Sequence, residues 1–253
     1  MSMLHDTWVM AKRSLRHTVR SMDTIITVVM TPIAMMLLFV FVFGTSFEKS
    51  LGGIKYIDFI TPAIIIMTVV SGIAYAAVRL SMDLQRGIIN RFKTMPVAPS
   101  SILGGHAASS TLSNLFSSLL VLLVALLIGF RSDAGLMEWS LFAGLLVLFT
   151  LATTWLAILF GLFAKTMEGA GAFSYILLLL IFISSGFTPV DNMAPALRWF
   201  AENQPMTPII ETMRSLLTNG TVGSSAGTAI IWCVGLLVVS YVLALRVYKT
   251  KTV

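Results

Sequence analysis

Six apolar runs, at about 25–43, 59–78, 107–130, 139–164, 170–187 and 229–245, follow one another with only short polar stretches between most of them. Runs of this kind reach the roughly 20 residues needed to cross a hydrocarbon layer of ~30 Å. Lipid offers no partner for a backbone amide or carbonyl, so a spanning segment has to satisfy its own hydrogen bonds and becomes a helix. With apolar residues at 57% and charged residues at 11% of the chain, against about 45–50% and 25% in soluble domains, little remains for anything else. The expectation is an all-α membrane protein of six transmembrane helices, built as a single domain over residues 1–253.

Lys and Arg are unevenly shared between the two faces that six spans define. The face holding the termini, the 79–106 connection and the 165–169 turn carries 12 Lys and Arg against 4 Asp and Glu; the other carries 5 against 7. Short loops rich in Lys and Arg stay cytoplasmic. Both termini are therefore expected in the cytoplasm, in a cell inner (plasma) membrane. The net charge of +6 follows the membrane rather than one basic patch, so no nucleic-acid partner is implied. The one cysteine, Cys233, sits inside the last run and reads as a small apolar filler.

Two basic amphipathic stretches stand on the cytoplasmic face. In residues 4–20, Leu4, Trp8, Ala11, Leu15 and Val19 share one helical face, while Lys12, Arg13, Arg16 and Arg20 take the opposite arc. Such a helix lies in the interface, with Trp8 at headgroup level and its cations toward anionic lipid or a partner. The run after it is too long for a signal sequence, so it is expected to be retained. Between the second and third spans, Leu84, Ile88 and Phe92 fall on one stripe, and Arg86, Asn90 and Lys93 on the other side. Pro96 and Pro99 stop that helix. It reads either as a solvated loop on lipid headgroups or as a lever on which a soluble partner pushes.

The remaining connections are short, apart from 188–226. Residues 44–58 are expected as a polar loop, and Arg79 as the end of the second span, snorkelling to the interface. Within 188–226, residues 194–200 and 209–217 look like short amphipathic helices, separated by Pro205 and Pro208. Asp191, Arg198, Glu202, Glu211 and Arg214 keep this segment from being a full span. Half-membrane or re-entrant helices packed on protein are what lipid permits there.

Little in the chain speaks for chemistry. No phosphate-binding loop occurs; residues 161–166 imitate one only in Lys165-Thr166. His5, His17 and His106 are scattered, and no cluster has metal-ligand spacing. No nucleophile–base set is visible. Coupled transporters ordinarily carry an ionisable residue inside their spans, and the interiors of these spans hold none. Energy would then have to come from another chain, which favours the lever.

Four stretches, in order along the chain, resemble permease subunits of ABC-2-type exporters, especially the daunorubicin-resistance-like multidrug branch. Tyr56-Ile57-Asp58-Phe59-Ile60-Thr61-Pro62-Ala63 is similar to that family's start of the second span, with Ala63 where the pattern has glycine. Arg86-Gly87 through Arg91-Phe92-Lys93-Thr94-Met95-Pro96-Val97, then Ile102-Leu103-Gly104-Gly105, resembles its cytoplasmic loop. Gly186-Phe187-Thr188-Pro189 is similar to its break after the fifth span, and Asn203-Gln204-Pro205-Met206-Thr207-Pro208 with Glu211 and Arg214 to the element before the last span.

The resemblance implies a six-helix domain that pairs with a second copy or a sister permease and docks on a cytosolic ABC ATPase subunit. ATP and magnesium would be bound by that partner, with no cofactor or metal in this chain, which is not itself an enzyme. It implies a coupling helix at 84–93 touching the ATPase through Leu84, Arg86, Ile88, Asn90, Arg91, Phe92 and Lys93. A connecting helix would occupy 4–20, with Trp8, Lys12, Arg13 and Arg16, and outer re-entrant helices 188–217. Ser71, Tyr75, Asn114, Ser117, Thr153 and Thr154 are candidates to line a pathway, though small hydroxyl residues equally let helices pack closely. A pathway without fixed charge suits lipophilic or amphipathic cargo such as drugs or lipids. Two other readings stand beside it. One is a polysaccharide or glycolipid exporter permease, for which Trp155 and Tyr175 are the aromatic candidates; the other is a non-transporting structural membrane protein.

Overall fold

The computed structural model describes residues 22–85, 99–218 and 220–252, and every regular element among them is helical. Helix α1 (Met22–Leu38) passes through Pro32, widens into a π-helical turn at Phe39–Phe43 and continues as α2 (Gly44–Ser50). The polar loop expected at 44–58 is thus helical over its first half. Phe47 of α2 stacks on Tyr56 with ring centroids 4.8 Å apart, and Glu48 Oε1 accepts the Tyr56 amide at 3.1 Å. These contacts favour continuing the helix, and the chain reverses only at Gly52 and Gly53, both at positive φ.

Helix α3 (Tyr56–Gln85) is the axis of the molecule. Its 30 residues extend about 45 Å, well beyond a hydrocarbon layer of ~30 Å. Arg79 does not end it. Its Nε donates to the Tyr75 carbonyl at 3.3 Å, no Gly or Pro follows before Gln85, and the helix takes in Leu84 as well. Pro99, expected to stop the preceding helix, opens α4 (Pro99–Ile128), where a first-turn proline loses no helical hydrogen bond.

Helices α5 (Leu136–Phe163), α6 (Met167–Phe182), α7 (Pro195–Asn203), α8 (Met206–Thr218) and α9 (Ala226–Thr252) follow. Among the described residues, five stretches are long and apolar enough to span a membrane: Val28–Lys49, Tyr56–Gln85, Leu103–Ile128, Leu136–Phe163 and Ala226–Tyr248. The run expected at 170–187 forms the shorter α6, 16 residues or about 24 Å long, and then turns. Beyond it the segment 188–217 is broken into short helices.

Helix α3 packs against α1, α4, α5, α6 and α8. Its Ile60, Ile64, Ile66, Val70 and Ile73 are fully buried with Phe149 of α5 and Met213 of α8 in the main core. A second cluster near the C-terminal end of α3 joins Leu80, Leu103, Trp155, Ile158, Leu162, Ala244 and Tyr248, with Leu84 packed against it. Gly161 lets α5 approach the α3 backbone: a Cβ there would lie 2.9 Å from the Ala77 carbonyl oxygen. Along α9, Ile231, Val238 and Val239 lie exposed, an apolar surface suited to lipid. The end where α3 begins is called upper below, and the end where it finishes lower.

Candidate functional site

Most of α3 is covered, but one stripe is not. Ser71, Ala74, Tyr75, Val78, Arg79 and Met82 are half-buried, while their neighbours on the other sides are buried. At 100° per residue these six share one face. The stripe's borders can be read from two contacts. Gly72 meets Asn114 of α4 and Val28 of α1, and Gly171 of α6 meets Val78. Gly186 likewise meets Ala63, so α6 runs antiparallel to α3 and Tyr175 comes level with Ala74 and Tyr75. Tyr175 is 72% exposed. The surface between α1 and α6 therefore carries a hydroxyl, two phenols at one depth and, further down, a guanidinium, in an otherwise apolar exterior.

The other pathway candidates lie elsewhere. Asn114, Ser117, Thr153 and Thr154 are all buried inside the bundle. Thr153 donates to the Phe149 carbonyl of its own helix at 2.8 Å, and Thr150 to that of Leu146 at 2.7 Å. Thr111, Asn114 and Ser118 share one face of α4. The hydroxyls of Thr111 and Ser118, the Asn114 amide nitrogen and the Thr154 hydroxyl of α5 are buried with no hydrogen-bond partner among the described residues. The Asn114 carboxamide oxygen fills the space a side chain at Gly72 would take, 1.8 Å from the position of its Cβ. This polar seam packs helices closely. Of the six candidates, only Ser71 and Tyr75 lie on the open stripe.

At the upper end, three of the four stretches singled out in the sequence converge. The Tyr56 hydroxyl donates to the Phe187 carbonyl at 2.8 Å. Arg214 of α8 donates through Nε to the Phe59 carbonyl at 3.1 Å and through an outer nitrogen to that of Ser185 at 2.7 Å. Its guanidinium lies 3.7 Å from the centre of the Phe59 ring. Burial lowers the pKa of this group to about 10, opposed by the charge of Glu211, so it remains a cation at neutral pH. Asp58 accepts the Arg131 amide at 3.0 Å, and Gln204 donates to the Leu180 carbonyl at 3.0 Å. A Cβ at Gly186 would stand 2.8 Å from the Ala63 methyl. The alanine at 63 fits because its neighbour across the interface has no side chain.

At the lower end, His106 of α4 lies with Nε2 3.2 Å from Asp83 Oδ2 of α3. Gln85 donates to the Ser81 hydroxyl at 3.2 Å and to the Lys165 carbonyl, in the α5–α6 turn, at 3.4 Å. Sequence reading assigned His106 no partner and passed over Asp83; the two are 23 positions apart, and no spacing rule links them. The expected connecting-helix residues Trp8, Lys12, Arg13 and Arg16 lie outside the described residues, as do Arg86, Ile88, Asn90, Arg91, Phe92 and Lys93. In Trp155, one of the two aromatics noted for a sugar-lined bore, the ring is buried edge-on against Tyr241 at 4.7 Å.

Residues 5–218 match the family described as ABC-2 type transporter. The daunorubicin resistance ABC transporter permease protein DrrB1 of Streptomyces coeruleorubidus is 27% identical over 229 residues, covering 90% of this chain and 80% of that protein. The inner membrane transport permease YadH of Escherichia coli is 26% identical over 220 residues, covering 84% of each.

Proposed function

This chain belongs to the ABC-2 type transporter family and is a transmembrane permease of an ABC exporter, and we propose that it moves lipophilic or amphipathic compounds along the open stripe of α3. The observation that carries this reading is the stripe itself. Ser71, Tyr75 and Tyr175 bring hydrogen-bonding groups to a surface that lipid alone would not select. Phenols combine an apolar ring with a polar tip, which suits an amphipathic cargo. In this reading the stripe faces a second copy or a sister permease, and the two surfaces enclose the path.

Six spans complete the arrangement, with α6 as the fifth and α7 and α8 as re-entrant helices on the outer side. The upper end is then extracellular and the lower end, with both termini, cytoplasmic, as the distribution of Lys and Arg requires. Residues 84–93 meet a cytosolic ATPase subunit, which binds ATP and magnesium and supplies the energy. Daunorubicin, named for the relative of Streptomyces coeruleorubidus, is the first cargo to try. A polysaccharide path is disfavoured, since Trp155 is buried against Tyr241 and leaves Tyr175 as the open ring of that pair.

The test is purification of the chain from its native membrane in nanodiscs, followed by ATPase assay of the material. Co-purification of a soluble ATPase whose rate responds to lipophilic compounds supports the reading. A chain that emerges alone and inert moves the structural-protein reading ahead.

A further inference from the structure

The lower ends of α3 and α4 flank residues 86–98, and a force on that connection arrives at both helix ends together. It reaches the stripe intact only if the two ends move as one. Apolar packing of Leu80, Leu84, Leu103 and Ala107 resists separation but not sliding, because dispersion contacts have little directionality. A directional contact is also present. Asp83, in the last turn of α3, meets His106, in the second turn of α4, at 3.2 Å. Their side chains are 34% and 17% exposed, respectively, so the contact is shielded enough to hold a geometry. Arg79, one turn above Asp83, adds its charge to the same carboxylate's surroundings. Two residues beyond Asp83, Gln85 reaches the Lys165 carbonyl at 3.4 Å. That turn leads directly into α6, the helix that walls the stripe on one side.

We propose that Asp83 and His106 are a positioning pair that clamps the lower ends of α3 and α4 together, so that a push on residues 86–98 is delivered to the turn at Lys165 and through it to α6. The pair touches neither cargo nor nucleotide. It sets how much of the partner's stroke becomes movement of the pathway wall. This rests on the exporter reading above, in which 84–93 receives the stroke.

The experiment uses the permease with its co-purified ATPase, reconstituted in vesicles, with daunorubicin as probe and its export per ATP hydrolysed as readout. Asp83→Asn and His106→Phe are each expected to lower export per ATP about three- to tenfold, the range an ordinary intramolecular hydrogen bond spans, with ATPase association unchanged. The exchange Asp83→His with His106→Asp restores the pair in mirror order and is expected to recover most of the loss. A structural role alone would not give that recovery. Unchanged export per ATP in both single variants overturns the clamp, as does a loss that the exchange leaves in place. Should the wild-type complex not export daunorubicin, the exporter reading loses its cargo class. The clamp is then judged by nitroxides at Met82→Cys and Ala108→Cys. Their spacing should stay fixed between ATP and ADP in the wild-type background and change in Asp83→Asn; equal behaviour in the two overturns it.

Discussion

The upper knot, half-exposed at Asp58 and Arg214, and the buried seam of α4 are both polar regions in an apolar bundle, and they are built in different ways. In the knot, Tyr56, Asp58, Gln204 and Arg214 each hold named partners on other segments, at 2.7–3.1 Å, and the Ser185 hydroxyl alone is buried without one among the described residues. In the seam, Thr111, Asn114, Ser118 and Thr154 leave polar atoms without partners among the described residues. Tying a short helix to its neighbours requires directional bonds, since α7 and α8 are too short to be held by spanning alone. A seam of small side chains achieves close approach without locking. Hydrogen bonds between spanning helices contribute only about 0.6–2 kcal/mol, so leaving a few unmade costs little and lets α4 pivot against α3 about the Asp83–His106 pair. The knot is an anchor and the seam a bearing.

Removing the anchor's central cation should have the largest effect. Arg214→Met leaves the Phe59 and Ser185 carbonyls without their charged donor and is expected to cost about 2–4 kcal/mol, read as a lower thermal unfolding midpoint in detergent. A midpoint equal to the wild type's would show that the knot does not anchor α8. Next comes close packing beside the seam. Gly161→Val sets a side chain against the α3 backbone at Ala77, and should cost about 1–3 kcal/mol through overpacking. Gly72→Ala meets the end of the Asn114 side chain, with Val28 at ordinary contact distance, and that carboxamide can rotate away at about 0.5–1.5 kcal/mol. A larger loss at Gly72 than at Gly161 would mean that Asn114 is held fast and the seam is no bearing. Smallest is the seam itself. Thr111→Val with Thr154→Val replaces orphaned hydroxyls by methyl groups and should leave stability unchanged or raise it by up to about 1 kcal/mol. A clear loss would reveal partners for those hydroxyls and undo the contrast with the knot.

Five of the six expected spans and the broken segment before the last of them were legible because burial in lipid demands long apolar runs, and prolines and charges interrupt them. The knot was half legible. Tyr56, Gly186, Gln204 and Arg214 stood in recognisable stretches, but nothing in one dimension says that residues 56–59, 185–187 and 214 share a point. Helix ends were less legible. Arg79 suggested an end to the second span, yet a snorkelling side chain does not oppose helix continuation, and α3 runs on to Gln85. The hydroxyl pattern misled in a specific way. Ser71 and Tyr75 on α3 and Asn114, Ser117, Thr153 and Thr154 on α4 and α5 look alike in sequence, and only the neighbours of each helix separate the open stripe from the buried seam. Asp83 with His106 was beyond reach, since that contact depends on how α3 and α4 converge around residues 86–98.

The central claim is that the stripe of α3, and not the seam, carries cargo. It is tested most directly by thiol labelling of Ser71→Cys, Tyr75→Cys and Ser117→Cys in the assembled transporter, with a membrane-permeant maleimide and increasing daunorubicin. The account expects fast labelling at 71 and 75 that daunorubicin slows, and slow labelling at 117 that it leaves unchanged. Protection at 117 with none at 71 or 75 would place the path inside the seam and contradict the account.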